Sequence, residues 1–180
     1  MGRPGRPLAQ EGQLLVAANA ATRARTYLDL WGVTARRESR DKLLKPIHEY
    51  WEPLRFVEHA QLVAYCITIC TIYDKSRGTL RLTEICRDLG RADLLEPLLP
   101  KLEKVKHLRD NIFAHRNVAT SWEEAFERAK ITADDMEALA VGTLDVVNEL
   151  LGQHDLQPVL HSSVAREGYE RLLRGEADQS

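Results

Sequence analysis

The sequence predicts an all-α protein, an up-and-down bundle of four long helices with short accessory helices, on three observations. Apolar residues recur at three- and four-residue spacing through four long segments. No run of β-branched residues alternating with polar ones and bounded by turn residues occurs in the 180-residue chain. Capping and stop residues fall between the periodic segments. That length favours one domain with a sizeable core, predicted here over residues 11–174 between loose tails at 1–10 and 175–180.

The first segment, Glu11 to Trp31, spaces Leu14, Ala18, Ala21, Leu28 and Trp31 along one helix face. Its alanines favour helix and permit close packing, and Gly32 is the expected stop. Met1 to Gln10 carries Arg3 and Arg6 with two prolines and no apolar run, so it does not read as a signal peptide. Thr34 to Tyr50 is highly charged and reads as a solvated helix face, with Pro46 and Pro53 marking bends or helix starts.

Leu54 to Asp74 is the deepest helix expected, apolar nearly all round from Ala60 onward. The run from Ala60 to Tyr73 is short for a bilayer span, so the prediction is a core helix and no membrane partner. A short helix capped by Thr79 or Thr83 is expected to end at Gly90. Ala92 to about Asn117 forms the third long segment; Pro100 shifts its regular start to Leu99 and leaves Ala92 to Leu98 as a separate turn. A connector follows, with a helical turn at Trp122 to Arg128. Thr132-Ala133-Asp134-Asp135 resembles a capping box, opening a fourth helix with Met136, Ala140, Thr143, Val147 and Leu150 inward. Gly152 is its predicted stop, and Val164 to Arg174 a last short helix.

Composition narrows the function. A net charge of -2, from 25 Lys and Arg against 27 acids, argues against a generally basic nucleic-acid binder and leaves room for a local basic patch. Cys66, Cys70 and Cys86 read as buried thiols of a cytoplasmic, reducing compartment, with neither a disulfide nor a zinc pattern. No Walker loop, dinucleotide glycine pattern, nucleophile elbow or zinc-type His-Glu-x-x-His is present, so neither cofactor nor metal is expected.

The end of the third long segment is the exception. Measured around the helix from Val105, Leu98, Leu102 and Ile112 lie within about 60° of it and form one apolar face, and Arg109 falls inside the same arc. An arginine there is costly unless paired or facing a cleft or partner. Arg109 and His115 suit RNA cleavage. Histidine exchanges protons near neutral pH, and arginine offers a permanent fork of donors to a crowded phosphorane. Six residues apart on one helix, they are separated by about 9 Å along the axis and about 120° around it. One copy makes a poor complete site, whereas a two-fold homodimer brings two of each around one cleft.

Arg109-Asp110-Asn111-Ile112-Phe113-Ala114-His115 resembles the R-x(4–6)-H motif of HEPN domains, with a polar residue directly after the arginine. The segments Tyr27–Trp31, Tyr50-Trp51, Cys70–Asp74 and Thr79–Leu82 look similar to the AbiU-like abortive-infection branch, a resemblance covering residues 10–152. It implies a metal-independent endoribonuclease of toxin or phage-defence type, with a composite homodimer site, 2′,3′-cyclic phosphate products and control by an antitoxin or other regulatory protein. By position, Arg109 stabilises the phosphorane, His115 is the base or acid, and Asp110 orients one of them. Spacing suggests that Asn111 holds the imidazole tautomer. Arg116 is a candidate phosphate ligand or helix-end cation, and Asp74 a candidate partner of Arg109. Asn117 stands where antitoxin-modified relatives carry a tyrosine, which argues against that mode of control. His48, His59, His107, His154 and His161 read as surface or packing residues. The alternative function is a catalytically inactive HEPN-like module that binds a protein or nucleotide.

Overall fold

The computed structural model describes residues 6–74, 82–114 and 122–176, with the backbone alone at 6–9, 111–114, 122, 123 and 125. Among the described residues the elements are helices without strands: α1 (Arg6–Ala35), α2 (Arg37–Arg40), α3 (Leu44–Glu49), α4 (Trp51–Tyr73), α5 (Leu82–Asp88), α6 (Leu99–Ala114), α7 (Trp122–Ala129), α8 (Ala133–Gln153) and α9 (Val164–Leu173). Short 3-10 turns occupy Asp41–Leu43 and Ala92–Leu95. The four long helices are α1, α4, α6 and α8. They close a ring in which α1 packs on α4 and α8, and α6 completes the contact with both. The predicted all-α bundle is the fold.

Its core follows from the periodicities. Ala17, Ala18, Ala21 and Ala24 of α1 are fully buried, and side chains this small let neighbouring helices approach closely. Opposite them lie Leu62, Tyr65 and Ile69 of α4, and Met136, Leu139 and Leu150 of α8. Two buried hydroxyls tie α4 to α8. Tyr65 donates to the Met136 carbonyl at 2.9 Å. Tyr73 and Thr143 share a bond of 2.7 Å, and Thr143 donates in turn to the Leu139 carbonyl, also at 2.7 Å. Thr132 caps α8 reciprocally with Asp135, as the sequence pattern predicts.

Several boundaries differ from expectation. Helix α1 begins at Arg6, inside the segment read as a tail, and runs through Gly32 to Ala35, because Val33 and Thr34 remain buried on the same helix. The 34–50 region is three short helical pieces, not one solvated face. Leu43 and Ile47 turn inward, forming with Val33 and Leu54 a second small core against which Tyr169 and Leu173 of α9 pack. Thr83 lies within α5, not at its cap, and Thr79 lies outside the described residues. Gly90, at φ +70°, ends that turn while the Arg91 amide reaches back to the Cys86 carbonyl. The length argument against a membrane span also fails. α4 is 23 residues long and meets the length and hydropathy of a spanning helix. Seven of its eight buried residues pack in the main core of the bundle, and Leu54 joins the second small core.

The 3-10 turn before α6 and the start at Leu99 follow the placement of Pro100. Leu102, Val105 and Leu108 are buried, at 1% exposure or less. Burying a leucine contributes about 2 kcal/mol, so Leu108 fixes the rotation of α6. The inward row therefore passes through Leu108, and Arg109 sits at its border, only partly buried. α7 docks on α1 by stacking Phe126 on Trp31, ring centres 6.3 Å apart.

Candidate active site

Arg109 lies one residue beyond the buried Leu108, so its side chain leaves the core beside the C-terminal end of α4. There it meets two carboxylates. Nε donates to Asp110 Oδ1 at 2.9 Å, and Nη1 stands 3.7 Å from Asp74 Oδ2. Asp74 follows directly after α4, in extended backbone. A helix C-terminus carries roughly half a negative charge on its unsatisfied carbonyls, so the guanidinium sits in a field built for a cation. Burial works against its charge. The Asp110 hydrogen bond and the charges around it outweigh that cost and raise its pKa further. The side chain stays 26% exposed, so the cation is accessible from outside.

The wall behind it is neutral. Burial pushes the Cys70 thiol up to about 12, with Arg109 only partly opposing it, and burial raises Cys66 in the same way. Both thiols are therefore protonated at neutral pH, and the counter-charges of Arg109 are Asp74 and Asp110. A cation held by two carboxylates yet open to solvent can transfer its donors to the oxygens of a phosphoryl group.

Of the residues singled out in the sequence, the structure brings Arg109, Asp110 and Asp74 together. Asn111 is in α6, and its side chain is outside the described residues. His115 and Arg116 lie outside the described residues. Among the described residues no group of three or more His, Cys, Asp or Glu side chains is placed to share a metal ion.

Pattern reading missed one charged network. Arg25 pairs with Asp29 at 3.0 Å and Glu137 at 2.9 Å, and Arg36 donates to the other Glu137 oxygen at 2.5 Å. His161, read from sequence as unpartnered, bonds Asp29 at 2.6 Å through Nε2. Asn148 grips both the N–H and the carbonyl of Val159, at 2.9 and 3.0 Å. These contacts fasten the chain after α8 onto α1 and α8. The i, i+4 spacing of Arg25 and Asp29 was the one visible signal in the charged network; its remaining partners lie more than a hundred residues away.

Comparison with known proteins gives one result that bears on the site. No curated protein and no solved structure matches the chain. The family model for HEPN domains of the AbiU2 type matches residues 13–172, a span that includes α4, α6 and α8 whole, α1 from residue 13 onward, and the whole Arg109–His115 motif. The chain therefore belongs to the AbiU2 family of HEPN domains.

Proposed function

We propose that this protein is an endoribonuclease of the abortive-infection kind, cutting RNA at a site completed by two copies of the chain. The observation that carries the reading is Arg109: a partly exposed guanidinium at the mouth of α4, oriented by Asp110 and Asp74 in an AbiU2-type HEPN domain. In the reaction, an imidazole of His115 takes the proton from a ribose 2′-OH. The 2′-oxygen attacks the adjacent phosphorus as the bond to the 5′-oxygen breaks. His115 of the second copy, protonated, gives its proton to that leaving oxygen. The products are a 2′,3′-cyclic phosphate and a 5′-hydroxyl. Arg109 donates to the non-bridging oxygens, whose charge grows in the phosphorane. Asp110 holds the guanidinium plane through Nε, leaving the terminal nitrogens for phosphate. Asn111 supports the imidazole, and Arg116 adds a phosphate contact beside the motif.

None of these steps calls on a metal or organic cofactor. RNA is the substrate, and an antitoxin or similar protein is the expected regulator, acting in the cytoplasm. The test is incubation of total RNA with wild type, Arg109→Ala and His115→Ala in EDTA, with end-group analysis. Cyclic-phosphate ends from wild type and none from either variant are expected. Equal cleavage by all three proteins overturns the proposal. Wild-type protein that binds a protein or nucleotide but cuts no RNA identifies the inactive interaction module.

A further inference from the structure

Lys106 stands one turn before Arg109 on α6, as Cys70 stands one turn before Asp74 on α4. Three residues advance a helix by about 300°, so Lys106 lies about 60° around from Arg109. Cβ atoms at that spacing are about 5–6 Å apart. Although it ends in a charge, the Lys106 side chain is only 29% exposed. Burial raises the pKa of the Cys70 thiol, and Arg109 and Lys106 both oppose that rise. The two cations therefore share the flank of α6 that faces α4.

Little ties the ammonium of Lys106 down. Nζ donates to Glu103 Oε1 at 2.7 Å, an i, i+3 contact within α6, and the Glu103 side chain is 64% exposed. A pair this open to water contributes little and exchanges readily. Of the three donors of an ammonium, Glu103 takes one.

The charge balance around Arg109 calls for such a cation. One guanidinium faces two carboxylates, Asp110 and Asp74, so that corner is net negative and repels an approaching phosphodiester. Lys106 removes the repulsion once Glu103 turns away into water. We propose that Lys106 is a phosphate-binding residue, holding the backbone phosphate next to the one that Arg109 contacts. The inference rests on the ribonuclease reading and adds a subsite to it. Two cations one helical turn apart grip consecutive phosphates of one strand, so the ligand is a single-stranded polynucleotide and not a lone nucleotide. The residue types suit the division of labour. The Arg109 fork fixes the geometry of the reacting phosphate, while a lysine point charge holds its neighbour without dictating an angle.

The test reads binding apart from cleavage. A fluorescent single-stranded RNA with 2′-O-methyl groups lacks the attacking hydroxyl. Its Kd for the full chain, measured by anisotropy across a range of KCl concentrations, reports how many phosphates are held. Lys106→Ala should lower the slope of log Kd against log salt by about 0.7, the value of one single-strand phosphate contact. It should weaken binding about tenfold at low salt, and Lys106→Arg should restore both. Glu103→Gln, which removes the competing acceptor, should tighten binding. On cleavable RNA the loss in Lys106→Ala should fall on KM and not on kcat, because the neighbouring phosphate carries the same charge in ground and transition states. An unchanged salt slope in Lys106→Ala overturns the contact. So does weaker binding by Glu103→Gln, the mark of a lysine that serves only its helix, and so does wild-type protein that leaves the oligonucleotide unbound. A Lys106-dependent slope in a protein that cuts no RNA upholds the contact and refutes the nuclease. Cleavage of RNA with the same slope in wild type and Lys106→Ala does the reverse.

Discussion

Replacing Arg109 with alanine separates a structural arginine from a functional one, because the surroundings limit what the side chain can contribute to stability. Its bond to Asp110 at 2.9 Å involves a carboxylate 63% exposed, and such a pair contributes at most about 0.5 kcal/mol. The Asp74 pair is longer, 3.7 Å, between groups 26% and 35% exposed, and contributes up to about 1 kcal/mol. The negative end of α4 adds about 0.5 kcal/mol, while alanine returns a few tenths through helix propensity. The net loss is about 1–2 kcal/mol, or roughly 5 °C in Tm for a chain of this length. The assay is thermal unfolding by circular dichroism at fixed protein concentration, run beside RNA cleavage. Arg109→Met keeps the aliphatic stem and should recover part of the stability but none of the cleavage. A loss above about 4 kcal/mol is the signature of breaking a buried ion pair, and it would refute the reasoning. Cleavage retained by Arg109→Met would refute it from the other side.

Two further outcomes test the surrounding fold. Burial opposes the Glu137 carboxylate, but hydrogen bonds from Arg36 and Arg25 outweigh it and hold its pKa below the usual range. A carboxylate depressed on folding stabilises the protein above its unfolded pKa, about 4.3, and that stabilisation disappears as pH falls through the folded value. Urea titrations of Glu137→Gln should therefore show a deficit of about 1–2 kcal/mol at pH 7 that shrinks below about pH 4.5; a deficit independent of pH contradicts the assignment. Thr132→Ala removes the side chain that accepts the Asp135 amide at 3.1 Å and should cost about 1 kcal/mol of stability, read from the urea midpoint at unchanged slope.

Local signals carried the fold class and the ordering of its parts. The alanine row of α1, the start of α6 at Leu99 and the capping box at Thr132 are decided by residues within one or two turns, where propensity, ring geometry and side-chain-to-backbone bonds act. The motif is equally local, since Arg109 and His115 are read off a single stretch. Gly32 was misread because a glycine's preference for ending helices is weaker than the burial of Val33 and Thr34 just beyond it.

Tertiary structure decided what no window contains. Leu108, not Arg109, faces the core, because the rotation of α6 is set by the helices it packs against. Asp74 meets Arg109 across 35 residues of sequence, and His161 meets Asp29 across 132. Charge pairs of that separation leave no periodic trace, because each partner looks like an ordinary surface residue until the fold brings the other beside it. The sequence by itself determined an all-α HEPN bundle with an arginine inside the apolar arc of its third long segment. Only the folded chain set that arginine at the mouth of α4, where a helix end and two carboxylates hold its charge and leave it open to solvent.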